Sequence, residues 1–169
     1  MQKIKIDFQK AFSKGSKPHS SLFKRWTTEV VDYLNAHANY QSLVKDLSLI
    51  EFTVRFVDEE ESEKINGHYH HENKPTNVLA FPFDESEVLR LTHQHLLGDL
   101  VLCVHKIEKE AESYGYTSLG ETHVYWAHIF IHGLLHLFKF DHNTSESQEI
   151  MEAIEVAILD RLGYENPYE

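Results

Sequence analysis

Glu51-Phe-Thr-Val-Arg-Phe-Val57 alternates apolar and polar residues without a break. A period of two puts Phe52, Val54 and Phe56 on one face of a strand and Thr53 and Arg55 on the other, so the spacing predicts a half-buried strand with the aromatic face inward. Asp58 follows at once and can cap a helix; the acidic segment 58–66 reads as a short one. Upstream, Leu22 to Ala36 has helical spacing with Trp26, Val30, Val31 and Leu34 on one face. The Ser/Gly/Lys/Pro stretch Ser13 to Ser21 reads as a loop, and Lys3 to Phe8 alternates like another strand.

Downstream, His68 to Pro75 reads as a histidine-rich loop, and Asn77 to Phe81 as a strand ended by Pro82. Leu97 to Val104 is more continuously apolar, as expected of a strand central in a sheet. His105 to Tyr114 looks helical, Gly115 to Gly120 turns, and Thr122 to Phe138 forms a long helix. Ser145-x-x-Gln148 fits a capping box, so a last helix is expected from there to about Leu162, with Gly163 just past its end. The fold class that follows is α/β (α+β): a small mixed β-sheet packed with helices.

At 169 residues the chain is expected to form one domain, 1–169, with a core that needs no staples. A hydrophobic share of 41% and a charged share of 25% are ordinary for a globular protein. Cys103 is the only cysteine and sits in an apolar run, so no disulfide framework exists. No run could span a membrane, and the first residues lack the apolar core of a secretory signal, so a cytoplasmic location and no membrane partner are expected.

The net charge of −11 argues against a surface that attracts nucleic acid everywhere. The charge is uneven: residues 1–25 carry seven basic groups and one acidic group, a balance of +6, and the rest of the chain carries −17. Thr144 to Glu169 holds seven carboxylates against Arg161, which reads as a solvated helix face.

The chemistry is concentrated in His132-Gly-Leu-Leu-His136-Leu-Phe-Lys-Phe-Asp-His142. On a helix, residues four apart leave the same face with Cβ atoms about 6 Å apart, a span that two ligands of one ion can bridge. His142 must fold back to join them, which puts the site on a long helix and the turn after it. Three neutral imidazoles leave an open position on a tetrahedral Zn²⁺, where water becomes a nucleophile near neutral pH. Three imidazoles also accept Ni²⁺, Cu²⁺ or Fe²⁺. A peptidase of the H-E-x-x-H type would carry glutamate directly after the first histidine, and here that residue is Gly133. The base is therefore the metal-bound hydroxide, a carboxylate such as Asp141, or a group of the substrate. His128, one turn back, reads as a supporting or packing histidine, because four protein ligands would close the site.

Pro75-Thr-Asn-Val-Leu-Ala-Phe-Pro82, Leu97-Gly-Asp-Leu-Val101 and His132-x3-His136-x5-His142 occur in that order, and together they resemble the YbeY family of bacterial zinc-dependent endoribonucleases. The resemblance runs from about Phe52 to Leu162-Gly-Tyr. It implies one Zn²⁺ on His132, His136 and His142, and single-strand-specific cleavage of RNA in the maturation of ribosomal RNA, at the 3′ end of the small-subunit rRNA, and in ribosome quality control. Implied partners are ribosomal RNA with ribosomal proteins or an assembly GTPase, and no DNA.

Two positions depart from the family pattern. The family usually has an arginine after the tyrosine that precedes the Thr-Asn-Val strand, taken to contact RNA phosphate; here Tyr69 is followed by His70. His70 can donate a hydrogen bond and, when protonated, a charge, without the bidentate fork of a guanidinium. Lys74 and Arg55 are the other candidate cations. Lys139 replaces a usual glycine between the second and third histidines, so a positive φ is expected there at a cost of about 1 kcal/mol. The alternatives to a nuclease are a non-catalytic ribosome-assembly factor with a structural metal and a metal hydrolase acting on a small substrate, the last of which would need an enclosed apolar pocket.

Overall fold

The computed structural model describes residues 2–83 and 96–169. Four strands, β1 (Lys3–Ala11), β2 (Leu49–Val57), β3 (Val78–Pro82) and β4 (Leu96–Cys103), form one sheet in the order β1-β2-β4-β3. β1, β2 and β4 run parallel and β3 runs antiparallel to β4, which makes the sheet mixed. The helices are α1 (Ser20–Ala36), α2 (Glu59–His70), α3 (Val104–Ser113), α4 (Leu119–Leu137) and α5 (Ser145–Arg161).

The alternation that predicts β2 is realised: Phe52, Val54 and Phe56 are buried on the face covered by α1 and α4. Phe23 of α1 sits at the centre of this aromatic core, with its ring centroid 5.3 Å from Phe56 and 5.1 Å from Phe130 of α4. The opposite face carries a smaller cluster of Val57, Leu79, Val101 and Cys103, with Ile65 of α2 packed against it. Because side chains alternate between the faces, Arg55 falls on the α2 side.

Two glycines set how closely the elements approach. A Cβ on Gly98 would lie 2.2 Å from the Phe81 carbonyl oxygen, and its φ of 143° is one that side-chain-bearing residues rarely adopt. Gly133 of α4 lies against the sheet, where a Cβ would come 2.9 Å from Val78 and 3.0 Å from Leu100. The residue after His132 thus faces the sheet, which leaves no room for the glutamate of an H-E-x-x-H motif.

Several local expectations are corrected. The segment from His68 is not loop from its start, because α2 continues to His70, and His71 ends the helix at φ 57°. The body of α2 is tied to the segment after it by Ser62 Oγ to the Thr76 carbonyl at 3.0 Å and Asn66 Nδ2 to the Lys74 carbonyl at 2.8 Å, bonds which no local pattern announces. Asp58 occupies the N-cap of α2 without capping it; its carboxylate accepts instead from Ser13 and Lys14 beyond β1. α4 begins at Leu119, within the expected turn, because Ser118 and Glu121 form a capping box. The box of α5 lies one residue earlier than expected, between Thr144 and Ser147. The α5 carboxylates do not all lie on a solvated face: Glu155 is fully buried.

Candidate metal centre

α4 carries His132 and His136 on the face turned toward α5 and the groove beside β3, and the turn after it returns His142. One ring nitrogen from each lies within 4.8 Å of the others. The turn is built as expected from Lys139, whose φ is 76°. Its N–H donates to the His136 carbonyl at 3.0 Å and the Phe140 N–H reaches back to the Leu135 carbonyl at 3.1 Å, the paired bonds of a Schellman motif completed without glycine. The Lys139 ammonium then donates to the Phe83 carbonyl at 2.7 Å.

Both helix histidines have their tautomers set. His136 Nδ1 lies 3.0 Å from the Phe140 carbonyl, which can only accept, so Nδ1 carries the hydrogen and the Nε2 lone pair is free. His132 Nδ1 lies 3.2 Å from Glu155 Oε2 with the same consequence. The two Nε2 atoms then face one another at 3.2 Å as acceptors. Two lone pairs at that distance repel unless a cation lies between them, and three neutral imidazole nitrogens are a donor set suited to zinc. The residues therefore fit a metal ion.

Glu155, which the sequence does not single out, stands directly behind His132. Besides His132 it takes the Tyr168 hydroxyl at 2.9 Å and His128 Nε2 at 3.2 Å. Burial pushes the Glu155 carboxyl up, but the hydrogen bonds from His128 and His132 outweigh it and hold the pKa at about 2. His136 is displaced the other way. Burial first, then the neighbouring His132 and His142, lower its pKa to about 4, so it stays neutral as a ligand must. A signal for Glu155 existed: Met151, Ile154, Ile158 and Leu159 mark one apolar face, and Glu155 lies on it.

A groove of about 780 Å³ runs past the three histidines. Its walls include His70, Asn77, Lys139 and Asp141, so it is not an enclosed apolar pocket. Asp141 accepts from the Asn143 N–H at 3.3 Å. Of the expected cations only His70 borders the groove. Arg55 donates to Glu61 and Gln9 on the other side of the sheet, and the exposed Lys74 pairs with Glu72 at 3.5 Å. Of the seven basic groups in residues 1–25, Lys3, Lys5 and Lys10 lie on β1, at the opposite edge of the sheet from β3. His128 stands with Glu155 and Tyr168, outside the three-histidine group.

The family model described as Endoribonuclease YbeY matches residues 10–163. Relatives named Endoribonuclease YbeY include one from Colwellia psychrerythraea, 37% identical over 163 residues covering 96% of each chain, and one from Coxiella burnetii, 36% identical over 166 residues covering 98% of this chain and 99% of that one. A solution structure of a Thermotoga maritima protein, 20% identical, matches 97% of this chain and 99% of its own with a TM-score of 0.54, which shows the same fold. Tyr168 lies beyond the segment matched by the family model.

Proposed function

Because this chain belongs to the YbeY family of endoribonucleases, we propose that it is a zinc-dependent, single-strand-specific endoribonuclease of the cytoplasm, one domain over 1–169, that matures the 3′ end of small-subunit ribosomal RNA and serves ribosome quality control. As an endoribonuclease it is a hydrolase of RNA phosphodiester bonds. Ribosomal proteins or an assembly GTPase would bring the substrate to a chain whose charge does not attract RNA broadly. Among the described residues no helix is long and apolar enough to cross a membrane.

The observation that carries the reading is the convergence of His132, His136 and His142, with two of the rings oriented by Glu155 and the Phe140 carbonyl. A zinc ion held by the three would supply Lewis acidity toward a phosphate oxygen and toward water. The protein's own groups do the rest. Glu155 and the Phe140 carbonyl keep the Nε2 lone pairs available. Asp141, on the groove wall, takes a proton from the attacking water as its oxygen bonds to phosphorus, and returns it to the ribose oxygen that departs as the P–O bond breaks. His70, on the same groove, offers the phosphate a hydrogen bond, and Lys139, its ammonium held by the neutral Phe83 carbonyl, adds a positive charge to the wall, while Arg55 and Lys74 are paired with the carboxylates of Glu61 and Glu72.

Cleavage of single-stranded RNA by protein of measured metal content tests this. Activity should vanish in His136→Ala and after chelation, and return with Zn²⁺. Fully metallated wild type that leaves RNA intact would replace this reading with that of an assembly factor whose metal is structural.

A further inference from the structure

Among the described residues, the pairing of β3 leaves one side of its backbone unused. The Phe83 N–H donates to the Leu97 carbonyl and the Cys103 N–H to the Asn77 carbonyl, both at 2.9 Å. Bonded residues alternate along an antiparallel pair, so with Leu79 opposite Val101 and Phe81 opposite Asp99, the odd-numbered residues of β3 commit their backbone groups to β4. Val78 and Ala80 turn N–H and C=O outward, and Pro82 turns out a carbonyl alone. β3 is an edge strand, and the successive residues Val78, Leu79 and Ala80 all border the groove that His132 and His136 line. Residues from both faces can line one groove only if the strand's edge forms the wall. Among the described residues, no group is hydrogen-bonded to the outward amides.

We propose that this edge binds the ribose-phosphate backbone of the substrate. The Val78 and Ala80 amides donate to phosphate oxygens, and the Val78 and Ala80 carbonyls accept from 2′-hydroxyls. The proposal rests on the endoribonuclease reading. Its warrant is complementarity: phosphate oxygens only accept, 2′-hydroxyls donate, and the edge offers both kinds of partner in a repeat of about 6.6 Å. Backbone amides hold phosphate without contributing charge, which suits a chain of net charge −11 that has His70 at the family's arginine position. The carbonyls favour ribose over deoxyribose, since the 2′-hydroxyl is what distinguishes the two. An extended peptide can also add to an open edge, but Pro82 limits the outward donors to two, too short a series for a strand ladder.

Two measurements test the edge. In zinc-loaded protein, a ribo-trinucleotide should shift the amide resonances of Val78 and Ala80, and shift them more than the deoxy analogue does, while those of Leu79 and Phe81 stay nearly fixed. Ala80→Pro removes one outward N–H and breaks no ladder bond, as Pro82 already does two residues on. It should lower kcat/KM for RNA roughly 10- to 100-fold, the size of one hydrogen bond to a charged oxygen, with zinc content and Tm unchanged. Unmoved Val78 and Ala80 amides, edge shifts with an extended peptide but not with the trinucleotide, or an unchanged kcat/KM would each overturn the proposal. Edge shifts in a protein that never cleaves RNA would sink the nuclease reading and keep the edge; cleavage without edge shifts would do the reverse.

Discussion

Glu155 Oε2 lies 3.2 Å from His132 Nδ1, and this buried carboxylate decides which nitrogen of His132 faces the other two histidines. Glu155→Gln keeps an acceptor but removes the charge that answers three donors. Zinc affinity, read by competition with a chelator, should fall about 10- to 100-fold, the usual cost of disturbing a group that orients a ligand. Affinity equal to wild type would mean that the carboxylate serves packing alone.

Acid should destabilise the metal-free protein in two overlapping steps. His136 has a folded pKa of about 4, below its unfolded value, so as pH falls below about 6.5 the unfolded chain takes up the proton first and stability declines until about pH 4. Glu155, held at about 2, contributes stability that is complete above about pH 4.5 and is lost as pH falls toward 2. Each step has a ceiling of roughly 3.5 kcal/mol, lowered for the half-buried His136 by solvent screening. Urea titrations of the chelated protein from pH 7 to 3 should show both steps; His136→Gln should lack the upper one and retain the lower.

Lys139→Gly should raise stability by about 0.5 to 1 kcal/mol, since glycine takes φ 76° without a Cβ penalty. The exposed bond to the Phe83 carbonyl is lost in exchange. A drop in the denaturant midpoint would show that this bond outweighs the backbone relief.

Gly98→Ala is expected to cost on the order of 3 kcal/mol, because a rigid carbonyl 2.2 Å away and a φ of 143° both oppose it. Gly133→Ala meets only side-chain methyls, at 2.9 and 3.0 Å, and should cost about 1 to 2 kcal/mol. Equilibrium unfolding of the two variants checks the order; a smaller loss at Gly98 than at Gly133 would contradict the close approach to Phe81.

Arg55→Ala should leave RNA cleavage unchanged, because the guanidinium is bound to Glu61 and Gln9 on the α2 side of the sheet. A large loss of kcat/KM with unchanged stability would place Arg55 in the substrate path after all.

The fold was legible where side-chain period and burial coincide, as in β2, β4 and α4. The triad was legible because its spacing along one helix and turn is a local property, and so was the positive φ of Lys139. What escaped was set by distant partners. Arg55 looks like a free cation until Glu61 is seen beside it, and the bonds from Asn66 and Ser62 that tie α2 to the backbone of Lys74 and Thr76 leave no mark in the local pattern. Glu155 is hidden for another reason: the overall charge of an acidic helix suggests a solvated face, while the apolar stripe through Met151, Ile154 and Ile158 marks that position as inward.

The three imidazoles are not equivalent. His132 and His136 are pinned through their second nitrogens, whereas His142 is exposed and makes no hydrogen bond among the described residues. An ion held by the three would therefore sit on two donors whose ring orientation the protein has already fixed, and His142 would be the donor that the fold holds least firmly.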